Sequence, residues 1–224
     1  MTKERPIFFS GAMVRAILDG RKTQTRRVFK LPSWADWYVS GAMEGEKTGD
    51  IIPKDPRQRG WYNVEEMPCP YGQMFDRMWV RETHYAFGRW ETRYSAKKGR
   101  DEWHFVDITT DSGREYQYPD SFAPVAYLPR GDITPSWWKR PAIFMPRKAS
   151  RILLEIVSVR VERLNDCSEA DAIAEGCPGG HGSVPDYPYN ATPQEHYRWL
   201  WDSINSAGAW EANPWVWVVE FRRF

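Results

Sequence analysis

The sequence predicts an α+β fold, a small mixed β-barrel with short flanking helices and long insertions. Three observations lead to this prediction: a long alternating segment at residues 151–164, two or three short segments with helical spacing and capping residues, and an aromatic, β-branched segment near the end. No internal repeat and no low-complexity segment interrupts them. We therefore expect a single domain over residues 1–224, with insertions at about 30–75 and 88–148.

The N-terminal segment predicts a strand, a short helix and a second strand. The stretch PIFFS (6–10) has strand character and ends at Ser10, a favourable N-cap for a helix that begins near Gly11. Apolar residues of the following MVRAIL stretch keep helical spacing, and Gly20 stands where a C-terminal cap belongs. The stretch TQTRRVF (23–29) then alternates and carries β-branched residues, which predicts the second strand.

The middle of the chain has weaker signals. Residues 29–75 are rich in Pro, Gly and Trp with little periodicity, so we expect a long elaborated loop. The stretch RMWVRE (77–82) is typical of a compact strand. Residues 90–150 read as an insertion with mixed charge, with short strands at WHFVD (103–107) and PVAYL (124–128).

The C-terminal part carries the strongest periodicity. The stretch RILLEIVSVRVERL (151–164) alternates throughout and predicts the longest strand of the chain. The stretch SEADAIAEG (168–176) begins with a Ser-x-x-Asp capping pattern and ends at a glycine, which predicts a short helix. The stretch NPWVWVVEF (213–221) predicts a closing strand, and its two tryptophans share one face.

A further helix is predicted over TPQEHYRWLWDSIN (192–205). Thr192 and Glu195 form a capping box, with proline at the first helical position. Arg198 and Asp202 are four residues apart, which predicts an exposed ion pair. The apolar residues with helical spacing are Tyr197, Leu200, Trp201 and Ile204.

Composition narrows the functional classes. The formal net charge is +1, so no global field attracts a polyanion, and contact with nucleic acid needs a local basic patch. Three cysteines without a CxxC pair argue against a disulfide framework or a zinc ribbon, and we expect no metal and no cofactor. No apolar run reaches membrane-spanning length, and no leader segment is recognisable, so we expect a soluble, cytoplasmic protein without membrane contact.

The stretch DGRKTQTRR (19–27) concentrates positive charge at the end of the first predicted helix. The period of a strand places Thr23, Thr25 and Arg27 on one face and Gln24 and Arg26 on the other. Lys22 lies at the bend, from which its side chain can return towards the Thr25 hydroxyl. A lysine activates a threonine hydroxyl when desolvation or nearby cations lower its pKa, and Arg21, Arg26 and Arg27 are such cations.

This motif resembles the hallmark of the ASCH family, a branch of the PUA-like barrels. The G-x-K-x-x-T-x-R pattern of that family matches Gly20, Lys22, Thr25 and Arg27. The WVRE strand, the RVERL and SEADAIAEG segments and the closing WVWVVEF strand add to the resemblance, which is closest to phage- and prophage-encoded members. It is specific at the motif and in the C-terminal third, and weak in the insertions.

The resemblance implies an RNA-associated PUA-like barrel and a set of site residues. One small branch of the family hydrolyses N4-acetylcytidine with a lysine, a threonine three residues later and a glutamate. These roles map to Lys22, Thr25 and Glu175, with Glu169 as the alternative for the glutamate. The implied ligand-binding residues are Gly20, Arg21, Lys22, Thr25, Arg26, Arg27, Trp79 and Arg81. Trp79 offers a stacking face, although strand tryptophans belong more often to the core.

Three hypotheses about function follow. The leading one is binding of RNA or of a modified nucleoside through the basic motif, because the balanced overall charge suits a short single strand or a small ligand better than a duplex. The second is an amidohydrolase that removes an acyl group from a modified cytidine with Lys22, Thr25 and Glu175. The third is a phage accessory protein that binds a host protein through its Trp- and Pro-rich insertion.

Overall fold

Strands make up most of the regular structure of the chain, as seen in a computed structural model that describes residues 2–38, 50–55, 57–58, 60–120, 124 and 129–224. The α+β class is therefore confirmed. The elements in chain order are β1 (Glu4–Phe8), α1 (Gly11–Leu18), β2 (Gln24–Val28), β3 (Ala35–Trp37), β4 (Asp50–Pro53), β5 (Tyr62–Asn63), β6 (Arg77–Arg81), β7 (His84–Ser95), β8 (Arg100–Asp107), β9 (Ser136–Arg140), β10 (Leu153–Arg163), α2 (Glu169–Ala174), α3 (Pro193–Asn205) and β11 (Trp215–Arg223).

The largest sheet has five strands in the order β1-β6-β10-β11-β2. β11 runs antiparallel to both β10 and β2. All five correspond to strands predicted from the sequence, with end points that differ by two residues or fewer. Within the described residues, β1 and β2 are the edges of this sheet, and no pairing closes it into a barrel.

The chain forms two compact units, and the boundary between them passes through β1, α1, β6 and β10. The first unit contains Met1–Arg5, Ala16–Met78 and Leu154–Phe224. Its helices α2 and α3 pack against the sheet through their apolar faces. Each of these helices begins with a complete capping box, at Ser168 and at Thr192. The core formed there consists of Leu164, Cys167, Ala172, Cys177, Tyr197, Trp201, Val216 and Val218.

Helix α3 follows its predicted bounds but not all of its predicted contacts. Tyr197 and Trp201 are buried, whereas Ile204 is exposed because it lies at the far end of the helix. Arg198 forms its ion pair with Glu211 and not with Asp202. Asp202 instead accepts a hydrogen bond from the Trp210 backbone N–H at 2.8 Å, which fixes the turn after the helix.

The second unit contains Pro6–Arg15 and Trp79–Leu153. Its three-stranded sheet has the order β8-β7-β9, and both pairs are antiparallel. Gly88 is required in β7, since a Cβ atom there would lie 2.1 Å from the Val106 carbonyl oxygen. A small core forms around Ala86, Tyr116, Met145 and Ala149.

Two predictions for the middle of the chain need correction. The expected loop at 29–75 contains a sheet of β3, β4 and β5, strands too short for their alternation to be recognised. The insertion at 90–150 contains β9 and the second half of β7 as well as the predicted WHFVD strand within β8. The strand predicted at PVAYL lies outside the described residues, apart from Pro124. No described helix has the length and apolar character needed to span a membrane.

Candidate functional site

The basic motif begins with a tight turn that ends helix α1. Gly20 has a φ of +74°, a backbone conformation that residues with a Cβ atom rarely adopt. The backbone N–H groups of Arg21 and Lys22 both donate to the Ala16 carbonyl, at 2.8 and 3.0 Å. The turn therefore caps the helix and directs the Lys22 side chain towards the interior.

Lys22 forms a buried ion pair with Glu175, which follows the last residue of α2. The Lys22 Nζ donates to Glu175 Oε2 at 2.6 Å, to the Glu175 carbonyl at 2.8 Å and to the Gln24 carbonyl at 2.8 Å. Both side chains are almost fully buried. Gly176 permits this close approach, because a Cβ atom there would lie 3.2 Å from Ala16 Cβ and 3.4 Å from Lys22 Cβ.

Burial changes the chemistry of this amine. Desolvation lowers the pKa of Lys22, and the charge and hydrogen bond of Glu175 only partly offset that effect. The charge of Arg27 lowers the pKa further. The three acceptors nevertheless match the three N–H groups of a protonated amine, so the structure holds Lys22 as a donor.

Arg26 extends this ion pair into a buried charge network, which consists of Lys22, Arg26, Glu162, Asp171 and Glu175. The Arg26 side chain is fully buried; it donates to Glu162 and forms ion pairs with Asp171 at 3.4 Å and Glu175 at 3.6 Å. Arg26 Nη1 and Glu175 Oε1 form that last pair without meeting hydrogen-bond geometry, and neither has another hydrogen-bond partner among the described residues.

Asp171 connects the network to the start of α2. Its carboxylate accepts from the Ser168 hydroxyl at 2.6 Å and from the Gln24 side chain at 3.1 Å. Burial alone would raise the pKa of Asp171, but the hydrogen bonds from Ser168 and Gln24 and the charge of Arg26 lower it to about 2. Arg160, at 3.2 Å from Asp171, links the network to solvent.

Thr25 and Arg27 lie on the other face of the sheet from this network. Arg26 faces α2, and because neighbouring residues of a strand point to opposite faces, Thr25 and Arg27 point away from it. Their neighbours on β11 are Val219 and Trp217. Thr25 is buried, and among the described residues none forms a hydrogen bond with its hydroxyl. The predicted catalytic group is thus only partly assembled: Lys22 contacts Glu175 but does not hydrogen bond to Thr25.

Two neighbouring cavities, about 640 and 380 Å³ in volume, share Trp217, Met67 and Pro68 in their walls. We call them together the Trp217 cleft. The smaller cavity is also lined by Phe29, Lys30 and Tyr71, and the larger by Lys3, Arg5 and Asp76. Arg27 lines neither cavity, but its charge acts on Tyr71 in the wall of the smaller one: burial raises the pKa of Tyr71, and the charge of Arg27 opposes that rise.

The remaining predicted residues occupy different surroundings. Arg21 is half-exposed and forms an ion pair with Asp19 at 2.7 Å. Trp79 and Arg81 belong to the second unit, where the Arg81 guanidinium lies 5.2 Å from the Trp79 ring centroid. Arg81 also donates to the carbonyls of Met145 and Ile143, so its donors serve the backbone of its own unit. Glu169, the alternative for the catalytic glutamate, is exposed at the start of α2.

Sequence reasoning missed several members of the site. Glu162 and Asp171 were not connected with Arg26, because they lie 136 and 145 residues away along the chain. A signal for Asp171 existed, since it is the third residue of the predicted capping box. Tyr71 and Trp217 gave no signal that distinguishes a cleft wall from a core. Cys167 and Cys177 are buried free thiols, and no cluster of potential metal ligands occurs among the described residues.

Comparison of the chain with models of protein families, with curated proteins and with solved structures found no match.

Proposed function

We propose that the chain is an ASCH-type, PUA-like protein that binds single-stranded RNA or a modified nucleoside in the Trp217 cleft. The observation that carries the proposal is the Trp217 cleft itself, whose wall residue Tyr71 lies within electrostatic range of Arg27 of the basic motif. The ion pair between Lys22 and Glu175 supports the proposal. The resemblance implies that these two residues belong to one site, and they are in contact although they are 153 residues apart in the chain.

The dimensions and chemistry of the Trp217 cleft suit a nucleobase. Cavities of about 300–1,000 Å³ commonly hold small ligands, and both parts of the cleft fall in that range. Tyr71 is partly exposed and offers an aromatic face for stacking, which contributes about 1–3 kcal/mol per base in proteins that bind single strands, whereas Trp217 and Phe29 are buried parts of the cleft wall. Arg27 adds a planar, permanently charged donor suited to a base edge or a phosphate.

Titration of the wild-type protein with uridine, cytidine, N4-acetylcytidine and a short oligouridylate tests the proposal. Replacement of Arg27 by Ala should weaken binding by roughly 1–3 kcal/mol if the guanidinium contacts a base edge. Arg21→Ala is the matched control, since it removes the same charge from the same motif at an exposed position paired with Asp19. Failure of all four ligands to bind, or equal losses in the two variants, would refute the proposal.

The dependence on salt provides a second measurement of the same site. Affinity for the oligouridylate should fall as salt rises, with a slope that corresponds to only a few phosphate contacts. Nucleoside binding should be nearly independent of salt, because the nucleosides carry no phosphate. Salt-independent binding of the oligouridylate would contradict a role for the cations around the cleft.

A second candidate function is amide hydrolysis, and the buried pair of Lys22 and Glu175 favours it. Desolvation lowers the pKa of Lys22 at the position where the resemblance implies a catalytic base. Such a reaction begins with transfer of a proton from the Lys22 ammonium group to the Glu175 carboxylate. The Thr25 oxygen then attacks the acetyl carbonyl, and the neutral Lys22 amine takes the hydroxyl proton. Glu175 then transfers a proton to the departing cytosine amine, and water releases acetate from the threonine ester. Lys22 must exchange one of its present acceptors for the Thr25 hydroxyl before this step.

Acetate release from N4-acetylcytidine distinguishes the two functions. An enzyme loses turnover in both Lys22→Ala and Thr25→Ala, and the double variant is no worse than either single variant, because the two residues act as one unit. Glu175→Gln should lower the rate by about 10²–10⁴ while nucleoside binding persists. Wild-type protein that binds the nucleoside and releases no acetate over hours would exclude hydrolysis and leave binding as the function.

A further inference from the structure

Two arginines of the second unit contact the same tryptophan ring. The guanidinium of Arg130 lies 4.4 Å from the centroid of the Trp90 ring, and that of Arg140 lies 4.8 Å from it. Arg140 also packs on the rings of Phe105 and Phe144, at 4.5 and 4.7 Å. We call these five residues the arginine platform. Arginine is suited to this arrangement because its planar cation stacks on aromatic faces while its edges stay available as donors.

The platform belongs to one face of the β8-β7-β9 sheet. Trp90 is directly opposite Phe105 on β8, and the ring centroids are 5.3 Å apart. The register places Trp103 and Tyr94 further along the same face, and both are exposed, Tyr94 to 70% of its surface. This face therefore offers aromatic rings both beneath the arginines and beyond them.

The two faces of the sheet differ in how their arginines are neutralised. On the opposite face, Arg93 forms an ion pair with Glu91, and Arg100 forms one with Glu102. Arg130 and Arg140 have no carboxylate within ion-pair distance among the described residues. Burial lowers the pKa of Arg140, and the charge of Arg130 lowers it further because the two guanidinium groups repel each other, whereas the charge of Asp107 partly offsets both effects. An anion between or beside them relieves that repulsion.

We infer that the arginine platform is a second RNA contact, at which Arg130 and Arg140 each bind a backbone phosphate of a single strand and the neighbouring exposed rings stack on bases. This inference rests on the proposed RNA binding. It commits to a single strand because stacking on Trp103 or Tyr94 requires bases that are not already paired in a duplex. The site is separate in sequence from the basic motif.

The test measures binding of a fluorescent oligouridylate of about twelve nucleotides, a length suited to single-strand binding surfaces. Arg130→Gln/Arg140→Gln should weaken binding by roughly 10- to 30-fold near 0.1 M salt and reduce the steepness of the plot of log K against log salt by about 1.4. The matched control is Arg93→Gln/Arg100→Gln, which removes the same charge from the opposite face of the same sheet. The control should change affinity by less than about twofold.

Four results would overturn the inference. Equal losses in the two double variants would show a non-specific charge effect and overturn it, as would an unchanged salt dependence or tighter binding of a duplex than of the single strand. If the double variant does not fold, Arg130→Gln alone removes one exposed charge and should change the salt slope by about half as much as the double variant.

Uridine titration separates the two sites, since the Trp217 cleft should still bind the nucleoside when the platform is removed. Nucleoside binding without oligonucleotide binding would overturn the platform and leave the proposed cleft intact.

Discussion

At the scale of single residues, the buried charge of Lys22 is the feature that most needs compensating hydrogen bonds. A buried lysine loses its hydration, and the loss is compensated only if every N–H group finds an acceptor. Glu175 provides two of these acceptors, its carboxylate and its carbonyl, and Gln24 provides the third. The same pair thus has a structural role in closing the motif against α2, whatever chemistry it performs.

Replacement of Lys22 by Met should destabilise the protein by about 3–5 kcal/mol, because the buried Glu175 carboxylate would lose its hydrogen-bonded partner and keep only the longer ion pair with Arg26 at 3.6 Å. Urea unfolding monitored by circular dichroism measures this loss. Lys22→Met/Glu175→Leu should recover most of it, since two apolar side chains leave no uncompensated charge. Arg21→Met, one residue earlier and solvent-accessible, should change stability by about 0.5 kcal/mol or less. A loss below about 1 kcal/mol in Lys22→Met would show that the pair is no stronger than a surface ion pair.

At the scale of elements, the sequence predicted those parts whose signals are local. The bounds of α3, β10 and β11 followed from periodicity and from capping residues that act within one turn. Strands β7 and β9 were missed because they are stabilised by pairing with each other, which no local pattern reveals. Charged residues between their apolar ones also obscure the apolar pattern in the sequence. Local patterns also predicted that Arg26 and Thr25 face opposite sides, whereas no local pattern connects Arg26 with Glu162.

The candidate site divides in the same way. The basic motif and its turn were predictable, because Gly20 and the cations are adjacent in sequence. The pairing of Lys22 with Glu175 was expected only from the family resemblance, since no spacing rule connects residues so far apart. The Trp217 cleft was not predictable at all, because its walls combine side chains from β2, β11 and the segment around Met67.

The capping boxes allow a prediction that separates helix stability from charge. Ser168→Ala should cost about 1 kcal/mol, because the first turn of α2 loses its cap. It should also raise the pKa of Asp171 above its present value of about 2, since the serine hydroxyl and backbone N–H bonds help to hold the carboxylate ionised. Titration of the Asp171 carboxyl by NMR measures the second effect.

Thr192→Ala is the control for that experiment. It removes the cap of α3 at a similar cost in stability, but it makes no contact with Asp171 and should leave that pKa unchanged. Equal shifts in the two variants would mean that general loosening of the fold, and not the Ser168 hydrogen bond, sets the ionisation of Asp171.

At the scale of the whole molecule, a nearly neutral chain distributes its charge unevenly. The network in the first unit neutralises Lys22 and Arg26 internally. In the second unit Arg130 and Arg140 form no close ion pair among the described residues, and the charge of one carboxylate, Asp107, acts on Arg140. Net charge therefore says little about the surfaces available to an anion. Global stability also depends on buried groups that can take up a proton, and His84 of the second unit is one of them.

His84 should make the unfolding free energy of the protein fall as the pH decreases below neutrality. Burial lowers the pKa of this histidine from 6.5 to about 4, and the charge of Arg140 on the neighbouring strand contributes to the shift. Between these two values the unfolded chain binds a proton that the folded chain excludes, so the stabilising contribution is complete above pH 6.5 and is lost as the pH approaches 4.

We expect the unfolding free energy to fall by an amount on the order of 2 kcal/mol across this pH window, measured by urea unfolding at several pH values. His84→Gln should make the profile shallower and leave the smaller contribution of His196, whose pKa burial also lowers. His104→Gln, at an exposed position of β8, should leave the profile as steep as in the wild type. A wild-type profile that is flat between pH 6.5 and 4, or one that stays steep in His84→Gln, would show that another group governs the acid sensitivity of the fold.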